Sequence, residues 1–294
     1  MMFRSDSLRY GGELFLYLLL SHSTYGQDIG RRLAHGQDTK SGSKLVRSGA
    51  VETKVNEFPM VVGLVDTKMS IVFCGGTIIA RRWILTSALC LAEREVSNMG
   101  ILYGAHNYNN AHETAGVHGL VRARRMVKHP DANYMNDIGL VETSKRIPFN
   151  NRVRPAYLPF SVDNRPCIGQ SIIAVGWGAW YLNKRPPGFL RKMKLKIVDQ
   201  SVCTYYTGQV VTFGTICTFP AGKRMACEHD FGAPLLREGT SGRIYVIGIT
   251  AGAFGCSANN TPGLHTRVAP FLGWIKKATR GLIQIRKNKK PFGG

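Results

Sequence analysis

The sequence predicts an all-β protein closed by one C-terminal helix, on three observations. Glycine is frequent, 33 of 294 residues, as expected of many short strands joined by turns. Lys192, Lys194 and Lys196 alternate with Met193, Leu195 and Ile197, the two-residue period of a half-buried strand with a basic outer face. The only convincing helical period comes at the end, where Phe271, Trp274, Ile275 and Ala278 fall on one face. The length suits one large domain or a two-lobed one. A hydrophobic content of 44% and an aromatic content of 10% supply a core, which excludes disorder throughout.

Taken in order, the chain starts with an apolar run, Leu14 to Leu20, behind Arg4 and Arg9. The run is short for a bilayer span and reads as a secretory signal, residues 1–26, cut after Gly26. A buried N-terminal strand is its other reading. Seven cysteines agree with export to an oxidising compartment. A secreted, extracellular protein without a transmembrane segment is therefore expected. Residues 27–44 read as a short pro-segment, 45–279 as the folded domain and 280–294 as a basic tail.

Within the domain, short motifs follow one another in a telling order. They are Asn56-Glu57-Phe58-Pro59, Cys74-Gly75-Gly76-Thr77-Ile78-Ile79, Trp83-Ile84-Leu85-Thr86-Ser87-Ala88-Leu89-Cys90, Asn136-Asp137-Ile138-Gly139-Leu140-Val141, Gly176-Trp177-Gly178, Cys227-Glu228-His229-Asp230-Phe231-Gly232-Ala233-Pro234 and Pro262-Gly263-Leu264-His265-Thr266-Arg267-Val268. Their number and sequence resemble the trypsin-like serine proteases, most closely secreted arthropod members of venom and haemolymph. The resemblance runs from about Leu45 to Thr279. It implies two packed six-stranded antiparallel β-barrels with a C-terminal helix, and an active cleft between the barrels.

The same resemblance locates a defect. The family's catalytic histidine position holds Leu89 and its nucleophilic serine position holds Phe231; only the aspartate, Asp137, is retained. Leucine takes no proton and phenylalanine has no nucleophilic atom, so the triad chemistry of base and nucleophile is absent. Asp137 beside leucine needs other partners, and local backbone N–H groups are expected to supply them. Ser87, close to Leu89, is a conceivable substitute nucleophile in a couple with His229.

Around this centre the pattern departs further. His229 stands at the oxyanion-hole glycine, where it either tilts the donor N–H away or points to solvent. Met225 replaces the acidic pocket floor, and Thr250-Ala251-Gly252 replaces the edge that pairs with an extended substrate. Gly252 and Gly263 are kept, so the pocket is either an apolar slot or filled core. Cleavage after Lys44 would free Leu45, whose ammonium could pair with Asp230; alternatively Asp230 serves its own loop. The resemblance implies bridges Cys74–Cys90, Cys203–Cys217 and Cys227–Cys256. Cys167 is left over, because Arg237 occupies the position of its usual partner. It is a shielded thiol or an intermolecular bridge.

Charge is the second lead. The formal net charge is +21, which bears on partners rather than on fold. Besides Lys192, Lys194 and Lys196, basic residues gather at Arg122, Arg124, Arg125 and Lys128, and in the tail at Arg286, Lys287, Lys289 and Lys290. Heparin-like glycans and microbial surfaces are the expected polyanions. Aromatics are scarce in the basic stretches, which argues against specific DNA binding. The expected protein partner is an extracellular protease, zymogen or protease substrate. Asn259-Asn260-Thr261 is a glycosylation sequon. No metal-ligand spacing or phosphate loop is present, so no cofactor is expected.

Overall fold

The computed structural model describes residues 50–109, 118–133, 135–160, 168–178, 188–208, 211–220, 231–239, 241–251 and 262–283. Six strands close the first barrel: β2 (Val61–Asp66), β3 (Ile71–Ala80), β4 (Trp83–Thr86), β5 (Met99–Tyr103), β6 (Gly119–Lys128) and β7 (Gly139–Thr143). They pair in the order β2-β3-β4-β7-β6-β5, and β5 returns to β2. The apolar inward residues explain the closure. Val62, Leu64, Ile78, Ile84, Ile101 and Val141 are fully buried in one cluster. A closed ring also leaves no strand edge to pair with another chain.

The second barrel is β8 (Ser171–Gly176), β9 (Arg191–Ile197), β10 (Thr215–Pro220), β11 (Pro234–Glu238), β12 (Ile244–Thr250) and β13 (Gly263–Arg267). The order is β9-β10-β13-β12-β11-β8, closed by β8 on β9, and the short β1 (Val51–Glu52) adds to the outside of β9. All pairings are antiparallel. Two closed six-stranded barrels followed by a C-terminal helix are the fold that the sequence predicts. On β9, Met193, Leu195 and Ile197 are buried while Lys194 and Lys196 are exposed, the alternation read from the sequence.

A second apolar cluster joins the barrels. Phe58, Trp83, Leu85 and Leu140 of the first pack with Val175, Trp177, Leu236 and Val246 of the second. Burial of each such side chain contributes roughly 1.5–3 kcal/mol. Helix α2 (Leu272–Ala278), entered through a 3-10 turn at Ala269–Phe271, adds Phe271 and Ile275 to this cluster, with Trp274 and Ala278 packed against it.

Helix α1 (Gln200–Thr207) left no apolar stripe to read, because Cys203 is its one buried residue. Its signals are at its ends. Asp199 caps it by accepting from the Ser201 N–H at 2.8 Å, and Gly208 ends it in the left-handed region. Two bridges hold the described chain: Cys74–Cys90 between β3 and the turn after β4, and Cys203–Cys217 between α1 and β10.

Candidate functional site

The site is built where the end of β4 lies beside the start of β7. Pairing of Thr86 with Gly139 sets the turn after β4 against the segment that precedes β7. Gly139 permits that approach: a Cβ there would lie 2.7 Å from Leu91 Cδ1 and 3.2 Å from Ser87 O. Asp137 is thereby carried inside, 6% exposed.

Both of its oxygens are engaged. Ser87 Oγ donates to Oδ2 at 2.6 Å, and the Leu89 N–H donates to Oδ1 at 2.8 Å. The Leu89 N–H also reaches Ser87 Oγ at 3.1 Å. One backbone N–H and one buried hydroxyl thus hold the carboxylate, where the sequence led us to expect N–H groups. Ser87 is completely buried. Its proton is committed to Asp137, so it cannot reach a substrate carbonyl. Leu89 itself is 42% exposed. Among the described residues no imidazole bonds to Asp137. His129, the nearest histidine along the chain, stacks edge-on against Phe271 and Trp274.

The second barrel delivers Phe231 to the same region. Its carbonyl accepts from the Gly75 N–H at 2.8 Å, and its side chain packs, partly buried, on the first-barrel cluster that includes Cys74, Cys90 and Leu91. Gly232 follows at φ +78°. A Cβ there would overlap Thr86 Oγ1 and lie 2.5 Å from Gly75 O. This position needs glycine twice over, for its backbone angle and for its contacts. The Gly232 N–H donates to Thr250 O and the Thr250 N–H to Ala233 O, both at 2.9 Å. Thr250 is therefore locked to the Phe231–Ala233 segment by backbone bonds and is buried. Gly263 opens β13 opposite Thr218.

A fold of this two-barrel kind, with a buried aspartate just before β7, meets an equally clear sequence match. A family profile described as "Trypsin" matches residues 47–275. The chain belongs to the trypsin family. A venom serine protease of Polistes dominula is 34% identical over 237 residues, covering 79% of this chain and 84% of that one. Venom serine protease 34 of Apis mellifera is 31% identical over 82% of this chain and 60% of its own length, so this chain spans less than two thirds of that relative. The clotting factor G beta subunit of Tachypleus tridentatus is 27% identical over 90% of both.

In this trypsin-family chain the described residues form no His–Asp–Ser hydrogen-bonded network; the bonds to Asp137 come from Ser87 and Leu89. Leu45, Met225, Cys227, His229, Asp230, Gly252, Cys256, Asn259, Arg286, Lys287, Lys289 and Lys290 lie outside the described residues. So do Cys167 and residues 1–44, which the sequence reading assigns to a signal and a pro-segment. Among the described residues no helix is long and apolar enough to cross a membrane.

The basic strand is less uniform than its sequence. Lys194 and Lys196 are exposed, but Lys192 is half-buried, ion-paired with Glu57 and near the Phe58 ring. Burial alone would raise the Glu57 carboxyl. The hydrogen bonds from Lys192 and from the Lys54 N–H outweigh it and hold the carboxyl below its ordinary value. A partner 135 residues away was not legible in a local pattern. Sequence reading also passed over His265 on β13. Its Nε2 meets Thr218 Oγ1 at 2.9 Å, its Nδ1 has no partner, and burial lowers its pKa to about 3.

Proposed function

We propose that this protein is a secreted, non-catalytic member of the trypsin family that acts by binding. In this reading it engages an extracellular protease, a zymogen or a protease substrate, as a decoy or cofactor. The observation that carries the reading is the closed set of bonds around Asp137. Acyl transfer requires a hydroxyl or thiol nucleophile, a base to take its proton and donors for the oxyanion. Here the aspartate holds a buried serine and a backbone N–H. The base position presents an exposed leucine side chain and the nucleophile position a phenylalanine packed on the first barrel. Loss of either the serine or the histidine from such a triad costs roughly a millionfold in turnover.

What survives is a folded surface. The names of two relatives place them in venoms and that of a third in a clotting system. These names support an extracellular protease setting for this chain. The apolar run Leu14 to Leu20, read as a secretory signal, and the cysteine content support the same compartment.

A second reading has its own observation. The net charge of +21 favours a polyanionic partner such as a heparin-like glycan or a microbial surface. Salt separates the two. Polyanion binding falls steeply as salt rises through counterion release, whereas a protein partner held on an apolar patch persists.

Two measurements test the function. The processed, purified protein should take no fluorophosphonate label and hydrolyse no peptide ester above buffer; a labelled serine refutes the non-catalytic reading. The immobilised protein should also retain an active or zymogen trypsin-family protease from the same extracellular fluid at both low and high salt. Loss of all binding at both refutes the binding role.

A further inference from the structure

We propose that an arginine ridge on the outside of the first barrel is a docking surface for a linear sulfated polysaccharide. The proposal rests on the polyanion reading above, and assigns it to residues that neither the lysine strand β9 nor the C-terminal tail contains.

The ridge is assembled from three separate segments. Residues 81–82, 122–125 and 142–146 carry seven cations, Arg81, Arg82, Arg122, Arg124, Arg125, Lys145 and Arg146, against one carboxylate, Glu142. The fold joins them. The Thr143 N–H bonds to Arg82 O and the Ile147 N–H to Arg81 O, which lays the β3–β4 turn against the end of β7. The Ser144 N–H bonds to Arg122 O, which brings in β6. Arg81, Arg122, Arg124, Lys145 and Arg146 are all exposed.

Glu142 does not neutralise the ridge. It is mostly buried and shared between Arg124 at 3.6 Å and Arg125 at 3.2 Å. Glu95, two residues from Ser97 on the neighbouring turn, faces Lys68 and the Asn98 amide. Arg125 also donates to Ala278 O, which ties the ridge to the end of α2 where Lys277 and Arg280 are exposed.

The guanidinium groups are braced before any ligand arrives. Arg82 Nη1 donates to Thr143 O and Ser144 O at 3.1 and 2.8 Å, and Arg122 Nη1 to Ser97 O at 3.2 Å. Arg81 lies over the Phe149 ring at 4.5 Å. Each guanidinium has five N–H donors, so a single brace leaves a fork free for a sulfate. Prior ordering lowers the entropy that binding must overcome. On β6, Arg122 and Arg124 are both exposed on either side of the buried Ala123, which offers successive cations to anions spaced along an extended chain.

The aromatic residues decide among polyanions. Phe149 is covered by Arg81 and Trp83 by Arg125. Neither ring is offered as a stacking platform, and base stacking is what single-stranded nucleic-acid binders use. Sulfate recognition needs no such platform.

The test compares wild-type protein with two charge-matched variants, each losing three cations. The ridge variant carries Arg124→Gln, Lys145→Gln and Arg146→Gln; the control carries Lys194→Gln, Lys196→Gln and Lys287→Gln. A heparin dodecasaccharide is titrated calorimetrically at several salt concentrations, with circular dichroism to confirm both variants folded. The expected result is binding weakened at least tenfold in the ridge variant, with a log K against log salt slope smaller by roughly two to three. The control should stay within about threefold of wild type.

Equal losses in both variants, or a larger loss in the control, overturn the ridge but leave the polyanion reading standing. No heparin binding by the wild type at low salt removes both. A fully desulfated dodecasaccharide, anionic phospholipid vesicles or duplex DNA binding the wild type as tightly as heparin, with the same sensitivity to the ridge variant, overturns the sulfated-glycan assignment.

Discussion

Replacing Ser87 by alanine should destabilise the protein while removing nothing from its surface. The hydroxyl is completely buried and gives a 2.6 Å hydrogen bond to an aspartate that is 6% exposed. A bond to a charged group contributes about 1.5–3 kcal/mol net, and a buried oxygen left without its donor adds a desolvation cost. The expected loss is about 2–3 kcal/mol. For a domain of this size that corresponds to a fall in Tm of roughly 5–10 °C. The double cycle with Asp137→Asn should return a coupling of about 1–2 kcal/mol, because the two side chains touch. Leu89→Ala provides the contrast. Leu89 serves Asp137 through its main chain, and its side chain is largely outside the core, so its truncation should cost less than about 1 kcal/mol. Urea denaturation of the purified, disulfide-intact proteins measures all four. If Ser87→Ala unfolds within about 0.5 kcal/mol of wild type, or Leu89→Ala costs more than Ser87→Ala, then Asp137 is not held as described and the argument for a re-partnered aspartate fails.

Two more perturbations address the second barrel. Gly232→Ala puts a Cβ onto Thr86 Oγ1 and within 2.5 Å of Gly75 O at φ +78°; secretion yield should collapse or stability drop by about 3 kcal/mol or more, and a normal urea midpoint would disprove the tight seating of that loop. His265 is held neutral in the fold, with its pKa lowered from 6.5 to about 3 by burial. Its contribution is complete above pH 6.5 and is lost as pH falls toward 3, since only the unfolded chain takes up the proton in that window, by up to about 1.4 kcal/mol per pH unit. His265→Phe should flatten the acid side of the stability profile measured by urea midpoints between about pH 7 and pH 4; parallel wild-type and variant profiles would refute it.

Local chemistry was legible without coordinates. Phe231 has no nucleophilic atom and Leu89 no titrating one wherever the chain places them, so what these two positions lack is written in residue types. Strand β9 was visible because alternation is local, and α2 because Phe271, Trp274, Ile275 and Ala278 fall on one face. The pairs Cys74–Cys90 and Cys203–Cys217 were implied by the family resemblance, and the fold forms both. Helix α1 shows no periodicity in the sequence because it buries only Cys203, and an amphipathic pattern needs a stripe to be seen.

Tertiary structure decided the relations between residues far apart in sequence. Ser87 reads as a spare nucleophile until Asp137, fifty positions later, takes its proton. Lys192 belongs to a basic row until Glu57 pairs with it across 135 residues. The arginines of residues 81–82, 122–125 and 142–146 are three unremarkable clusters until barrel closure sets β4, β7 and β6 side by side. Composition and order can name the groups a chain carries, but hydrogen bonds and charge fields act over a few ångströms. Which groups come that close is set by how the two barrels close.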